Sequence, residues 1–145
     1  DNQGLGGASA AFYIEAEGLA KTFTAGDTRI YWLNRGERTI DHSRAQDYID
    51  EGRSALASLN NHPLRNCLTK ALSQQKGFSV LQEQSWAPMT SGEKLLICSD
   101  GYWRYWDDEH IYACQSPQSL GESVRRSMNP SNTERDNCSV MLLGR

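Results

Sequence analysis

Over residues 9–15 small, aromatic and β-branched side chains follow a glycine-rich start, and over residues 19–25 apolar and polar positions alternate. Both segments read as strands joined by a turn at Glu17-Gly18. Residues 28–33 (TRIYWL) are rich in strand formers and are turned back by Asn34-Arg35-Gly36-Glu37. Three consecutive short strands with tight turns are expected to form an antiparallel meander.

From residue 43 to 59 the period changes. Ala45, Tyr48, Ile49, Ala55, Leu56 and Leu59 recur at helical spacing, broken at Gly52, which predicts two short helices with Ser43 capping the first and Ser54 near the start of the second. Strand character returns over 67–72 and 78–86. A turn bounded by Pro88 and Gly92 then leads into 94–99 (KLLICS), whose unbroken apolar run suits a strand covered on both faces. Residues 107–114 and 117–128 read as helices, the second with Pro117 in its first turn and Leu120, Val124 and Met128 on one stripe. A polar loop over 129–135 and an apolar strand over 138–143 close the chain. Strands and helices that do not alternate strictly argue for an α+β sandwich.

A chain of 145 residues can bury a core as one domain, or as one large piece of one. The net charge of −3 lacks the clustered basic residues that nucleic acid would require. No run approaches the ~18 apolar residues of a membrane span, and Cys67, Cys98, Cys114 and Cys138 form no CxxC pair. The expectation is a soluble cytoplasmic protein with reduced thiols, bound to neither nucleic acid nor membrane. Asp1 in place of Met reads as a chain that has been cut, processed or taken from the middle of a longer one.

Four acids stand where an apolar strand meets a turn: Asp27 (AGDTR), Asp41 (IDHS), Asp100 (ICSDG) and Asp136 (RDNCSV). Singly, each is an ordinary turn residue whose side chain bonds nearby backbone. Together they point to a shared cation, because a carboxylate at the mouth of a buried strand is costly to desolvate without a partner.

The succession GGASAAF, TAGDTRIYWLNRG, IDHSRAQDYIDEG, HPLRNCLTKALS, GEKLLICSDGYW and RDNCSVMLL resembles the consecutive motifs of the second half of type 2C metal-dependent protein serine/threonine phosphatases. The resemblance covers nearly the whole chain. It implies a four-layer α/β/β/α sandwich, two antiparallel sheets flanked by helices, of which residues 1–145 would be the carboxy-terminal portion of a single domain. It also implies that Asp100 and Asp136 are metal ligands and that Asp27 matches a looser third metal position. Asn137 matches the family's DN pair, and HPLRN is similar to bacterial members, some linked to type VI secretion.

By the same resemblance the cofactors would be two Mn²⁺ or Mg²⁺ ions that activate a water for in-line attack on phosphorus. The substrates would be phosphoserine or phosphothreonine on proteins within a serine/threonine kinase pathway. No Cys-x5-Arg loop or G-x-S-x-G elbow offers a covalent route. The family's amino-terminal acidic motif and DGHGG motif do not occur in these residues. The bridging Asp, phosphate-binding Arg and general-acid His are therefore missing, and the chain alone is expected to be inactive. A catalytically inactive binding module of the same fold is the alternative. His42 is read as a hydrogen-bonded structural histidine, and His110 as facing solvent or packing beside its helix. Trp103, Arg104 and Trp106 are weighed as substrate contacts against an aromatic cluster that packs the following helix. Arg104 stands where many family members have another Asp, so it is expected to pair with Asp27 or another nearby acid and to weaken the third metal.

Overall fold

The computed structural model describes residues 6–74, 77–129 and 136–145. Of the loop expected over 129–135, positions 130–135 lie outside them.

Strands β1 (Ala10–Ala16) and β2 (Leu19–Ala25) pair antiparallel with Phe12 opposite Phe23. Their turn places Glu17 and Gly18 at positive φ, the twist a tight hairpin favours. The expected meander ends there. All four residues of β3 (Arg29–Trp32) are buried, whereas β1 and β2 leave Phe12, Ile14 and Leu19 exposed. A strand that is buried on both sides needs cover on both faces, so the chain crosses into a second sheet after β2. There β3 pairs with β4 (Glu37–Arg38) and with β6 (Lys94–Cys98), which in turn pairs with β7 (Val140–Gly144). The first sheet runs β1-β2-β5, with β5 at Gln82–Trp86, and the second β4-β3-β6-β7. Two antiparallel sheets with helices make the protein α+β, as the sequence pattern predicts.

Two expected strands shrink. Residues 67–72 make isolated bridges only, Ser43 with Leu68 and Ala8 with Leu72, because Cys67, Leu68 and Thr69 are exposed and have no face to bury. The segment expected over 78–86 opens with a 3₁₀ turn at Gly77–Val80 before β5.

Helix α1 (Arg44–Asp50) starts where predicted, with Ser43 Oγ accepting the Gln46 N–H at 3.2 Å. The second expected helix is a 3₁₀ helix, Leu56–Asn61, begun at Ala55 without a side-chain cap, while Ser54 bonds His62 instead. With only Leu59 buried, it has neither cap nor apolar stripe to propagate an α-helix. α2 (Asp100–Trp103), a single turn, follows β6 directly. α3 (Asp108–Ala113) is capped by Asp107 and α4 (Pro117–Ser127) by Ser116, which forms a capping box with Ser119. Met128 lies past the end of α4 and is exposed.

The core has two halves. Ile30, Trp32 and Leu95 face the first sheet, where Trp32 stacks on Trp86 with ring centroids 3.8 Å apart. Tyr31, Leu33, Leu96 and Cys98 face the helices and meet Tyr102, Trp103, Ile111, Cys114 and Leu120. The apolar run of β6 is thus covered on both sides, as expected. The outer face of the first sheet presents Phe12, Ile14 and Leu19 to solvent. All four cysteines are free thiols, Cys98 and Cys114 buried. No described helix is long and apolar enough to cross a membrane.

The start of β3 carries a charge into this core. The side chain of Arg29 is 1 % exposed and forks onto Asp41, itself 2 % exposed, with Nε to Oδ1 at 2.7 Å and Nη2 to Oδ2 at 2.6 Å. Tyr31 Oη accepts from Nη1 at 2.9 Å, and the guanidinium lies 3.5 Å from the centroid of the Trp103 ring. Arg38 and Asp108 extend the network, joined at 2.8 Å. Removing one partner leaves the other charge buried and uncompensated, so Arg29→Met should cost about 3–5 kcal/mol in urea unfolding. Arg29→Met combined with Asp41→Leu should recover most of that loss.

Candidate active site

Three segments deliver carboxylates to one end of the two sheets. After β2, Gly26 takes φ +87°, and a Cβ there would lie 2.8 Å from the Ser9 Cβ. Glycine therefore lets Ser9 close over the strand end, where its Oγ donates to Asp27 Oδ1 at 2.7 Å. Asp27 is buried, and its carbonyl accepts the Trp103 indole N–H at 2.8 Å. After β6, Asp100 opens α2 and accepts the Gly101 N–H at 2.9 Å. Before β7, Asp136 accepts the Asn137 N–H at 2.7 Å.

The last two segments are locked together. The Ser99 N–H donates to the Ser139 carbonyl at 2.9 Å, the Ser139 N–H to Ser99 Oγ at 3.0 Å, and Ser99 Oγ to the Asn137 carbonyl at 3.1 Å. Gly101 is pressed against that carbonyl so closely that a Cβ would overlap its oxygen. This explains physically the glycine of the SDG stretch.

Burial pushes the Asp100 carboxyl above the usual range, and the negative charges of Asp27 and Asp136 push it further. The Gly101 amide and Arg104 oppose the rise. Asp27 is raised as well, by burial and by Asp41, against the bond from Ser9. Arg104 Nη1 stands 3.8 Å from Asp136 Oδ2, so Asp136 is an acid it pairs with among the described residues. Among the described residues no group of three or more His, Cys, Asp or Glu is gathered closely enough to hold a metal ion. The donors present are hard oxygens in mutual repulsion, which fits a divalent cation as part of a ligand set.

Asp41, read from sequence with the other strand-end acids, is taken instead by Arg29. Trp103 is 1 % exposed, and Trp106 stacks on His110 at 4.0 Å and donates to Ser127. The two tryptophans are packing residues, because each indole N–H already has a partner on an adjacent element. His42 bonds Gln82 at 2.8 Å and is structural, as expected. His110 packs beside its helix against Trp106 and Ser123. His62 packs on Tyr48. The sequence reading missed Arg29 and Ser9. A lone arginine inside TRIYWL was the available signal for the first, since a charge in a strand buried on both faces demands a partner; the second carried none.

Fold and strand-end acids together define a class of α+β protein with acidic strand ends at one end of two antiparallel sheets. No protein-family model matches the chain. By sequence it is 30% identical over 128 residues to the serine/threonine protein phosphatase PstP of Mycobacterium tuberculosis, covering 77% of this chain and 24% of that protein. To the serine/threonine phosphatase stp of Listeria welshimeri it is 27% identical over 138 residues, covering 91% and 54%. The chain thus spans from about a quarter to about half the length of these relatives. The solved M. tuberculosis PstP superimposes with a TM-score of 0.77 at 24% identity, over 94% of this chain and 59% of that one. The PPM phosphatase MsPP of Mycobacterium smegmatis, in complex with cacodylate, gives 0.70 at 26% identity over 94% and 60%. A PstP catalytic domain in complex with two manganese ions gives 0.70 at 22% identity over 92% and 56%. The chain is a homologue of the PPM-type serine/threonine phosphatases, the type 2C class, and shares part of their fold.

Two outcomes follow from the geometry. A folded-state pKa raised above the ordinary value near 4 makes stability fall as pH climbs from there through the raised value. Asp100→Asn should therefore stabilise the ion-free protein at pH 7 and lose that advantage at pH 4 and below, as read by urea unfolding at both pH values. Gly101→Ala should force the SDG and DN segments apart and cost about 1–3 kcal/mol in the same assay.

Proposed function

We propose that the chain is the carboxy-terminal portion of one type 2C phosphatase domain, and that the whole domain hydrolyses phosphoserine and phosphothreonine on proteins with Mn²⁺ or Mg²⁺. The observation that carries this reading is the placement of Asp100, Asp136 and Asp27 at one end of two sheets, with Asp100 held above its usual pKa by burial and by the other two. Carboxylates in that setting call for a cation, and oxygen donors select hard divalent ions. Bound there, such ions supply an activated water and neutralise phosphate charge.

In this reading Asp100 and Asp136 hold two ions, each carboxylate aligned by the backbone amide that follows it. Asp27, held by Ser9, borders a third position more loosely. The bridging carboxylate, phosphate-binding arginine and general acid belong to the remainder of the domain. The substrates are phosphoproteins made by a serine/threonine kinase. Homology to named serine/threonine phosphatases and the two manganese ions bound to a PstP catalytic domain support the assignment.

The test is hydrolysis of phosphoserine and phosphothreonine peptides by the full-length protein. Activity should require Mn²⁺ or Mg²⁺ and vanish in excess chelator. Asp100→Asn or Asp136→Asn should lower kcat/KM by at least about a hundredfold, the upper range for disturbing a metal's support, and Asp27→Asn by less. Residues 1–145 alone should be inactive. Full turnover in chelator would refute the reading, and phosphopeptide binding without turnover would identify an inactive binding module.

A further inference from the structure

Arg104 stands close to two of the strand-end carboxylates. It is the residue that ends α2, and its side chain is 10 % exposed whereas that of Asp136, 3.8 Å from its Nη1, is 45 % exposed. A side chain packed this way holds its charged head at a defined place beside Asp136. The separation exceeds hydrogen-bond length, so the attraction to Asp136 is that of an ion pair without a short N–H···O bond at these atoms. The positive charge is felt at Asp100 as well. A guanidinium has five N–H donors in a planar fork suited to oxyanions.

We propose that Arg104 works by exchange: in the ion-free protein it neutralises Asp136, and when a divalent cation takes that carboxylate the guanidinium turns to the phosphoryl oxygens of the substrate. The inference rests on the reading of Asp100 and Asp136 as cation ligands. It has two consequences of opposite sign. An incoming cation must displace a tethered positive charge, so Arg104 weakens cation binding. The displaced guanidinium is a charge-assisted donor to an oxyanion, so Arg104 strengthens phosphate binding in the loaded protein. A residue that merely packs beside the site would move both affinities in one direction.

The experiment is calorimetric titration of the full-length protein with Mn²⁺ and then, at saturating Mn²⁺, with inorganic phosphate. Arg104→Gln should bind Mn²⁺ about fivefold more tightly, the scale of a half-exposed ion pair, and phosphate about tenfold more weakly, the scale of a charge-assisted hydrogen bond. Arg104→Met keeps the apolar stem and should show the same pair of changes, which guards against a folding defect. Unchanged or weaker Mn²⁺ binding in both variants overturns the exchange, as does unchanged phosphate binding. Failure of the underlying reading looks different: wild type and Asp100→Asn would then bind Mn²⁺ alike.

Discussion

A guanidinium buried at the head of a central strand has to be answered by a carboxylate, and here Asp41 answers Arg29 through two short parallel bonds. Much of the architecture is arranged around that pair. Thr39 returns to β3 through its backbone and side chain, both bonded to Ile30, which brings Asp41 alongside the strand. The next residue, His42, donates its N–H to the Gly26 carbonyl, so the segment that carries Asp41 also fixes the end of β2. Trp103 lies over the guanidinium and donates to the Asp27 carbonyl. The same indole therefore covers the buried ion pair and supports the strand-end acid.

This arrangement separates two kinds of acidic residue that sit in similar local sequence. Asp41 is paired within the protein, where it compensates the buried charge of Arg29. Asp100 and Asp27 are left with raised pKa values because burial and neighbouring acids both disfavour their charge. Repulsion of that kind weakens the fold unless an opposite charge offsets it. Backbone amides and the Ser99–Ser139 lock hold the carboxylates in place against it.

The outer face of the first sheet tells a complementary story. Phe12, Ile14 and Leu19 lie exposed on one side of the β1-β2 hairpin, with Lys21 opposite Ile14 on the same face. The second sheet has helices on its outer face through Tyr102, Trp103 and Ile111. Homologues superimpose on nearly all of this chain but use it for 59–60% of their own length. The uneven burial of the two sheets matches a fold represented here in part.

Local sequence determined the elements whose signals are local. Alternation set β1 and β2, an unbroken apolar run set β6, Ser43 and Pro117 marked helix starts, and the strand-end acids with their glycines were legible as motifs. These depend on residue type, period and turn chemistry within a few positions. Tertiary structure alone decided that β3 leaves β2 for another sheet, because that choice turns on which faces find cover. It also decided that Asp41 serves Arg29 while Asp100 and Asp136 stay together, and that Arg104 meets Asp136. A carboxylate's role is set by the charge that arrives beside it, and those charges come from segments distant along the chain.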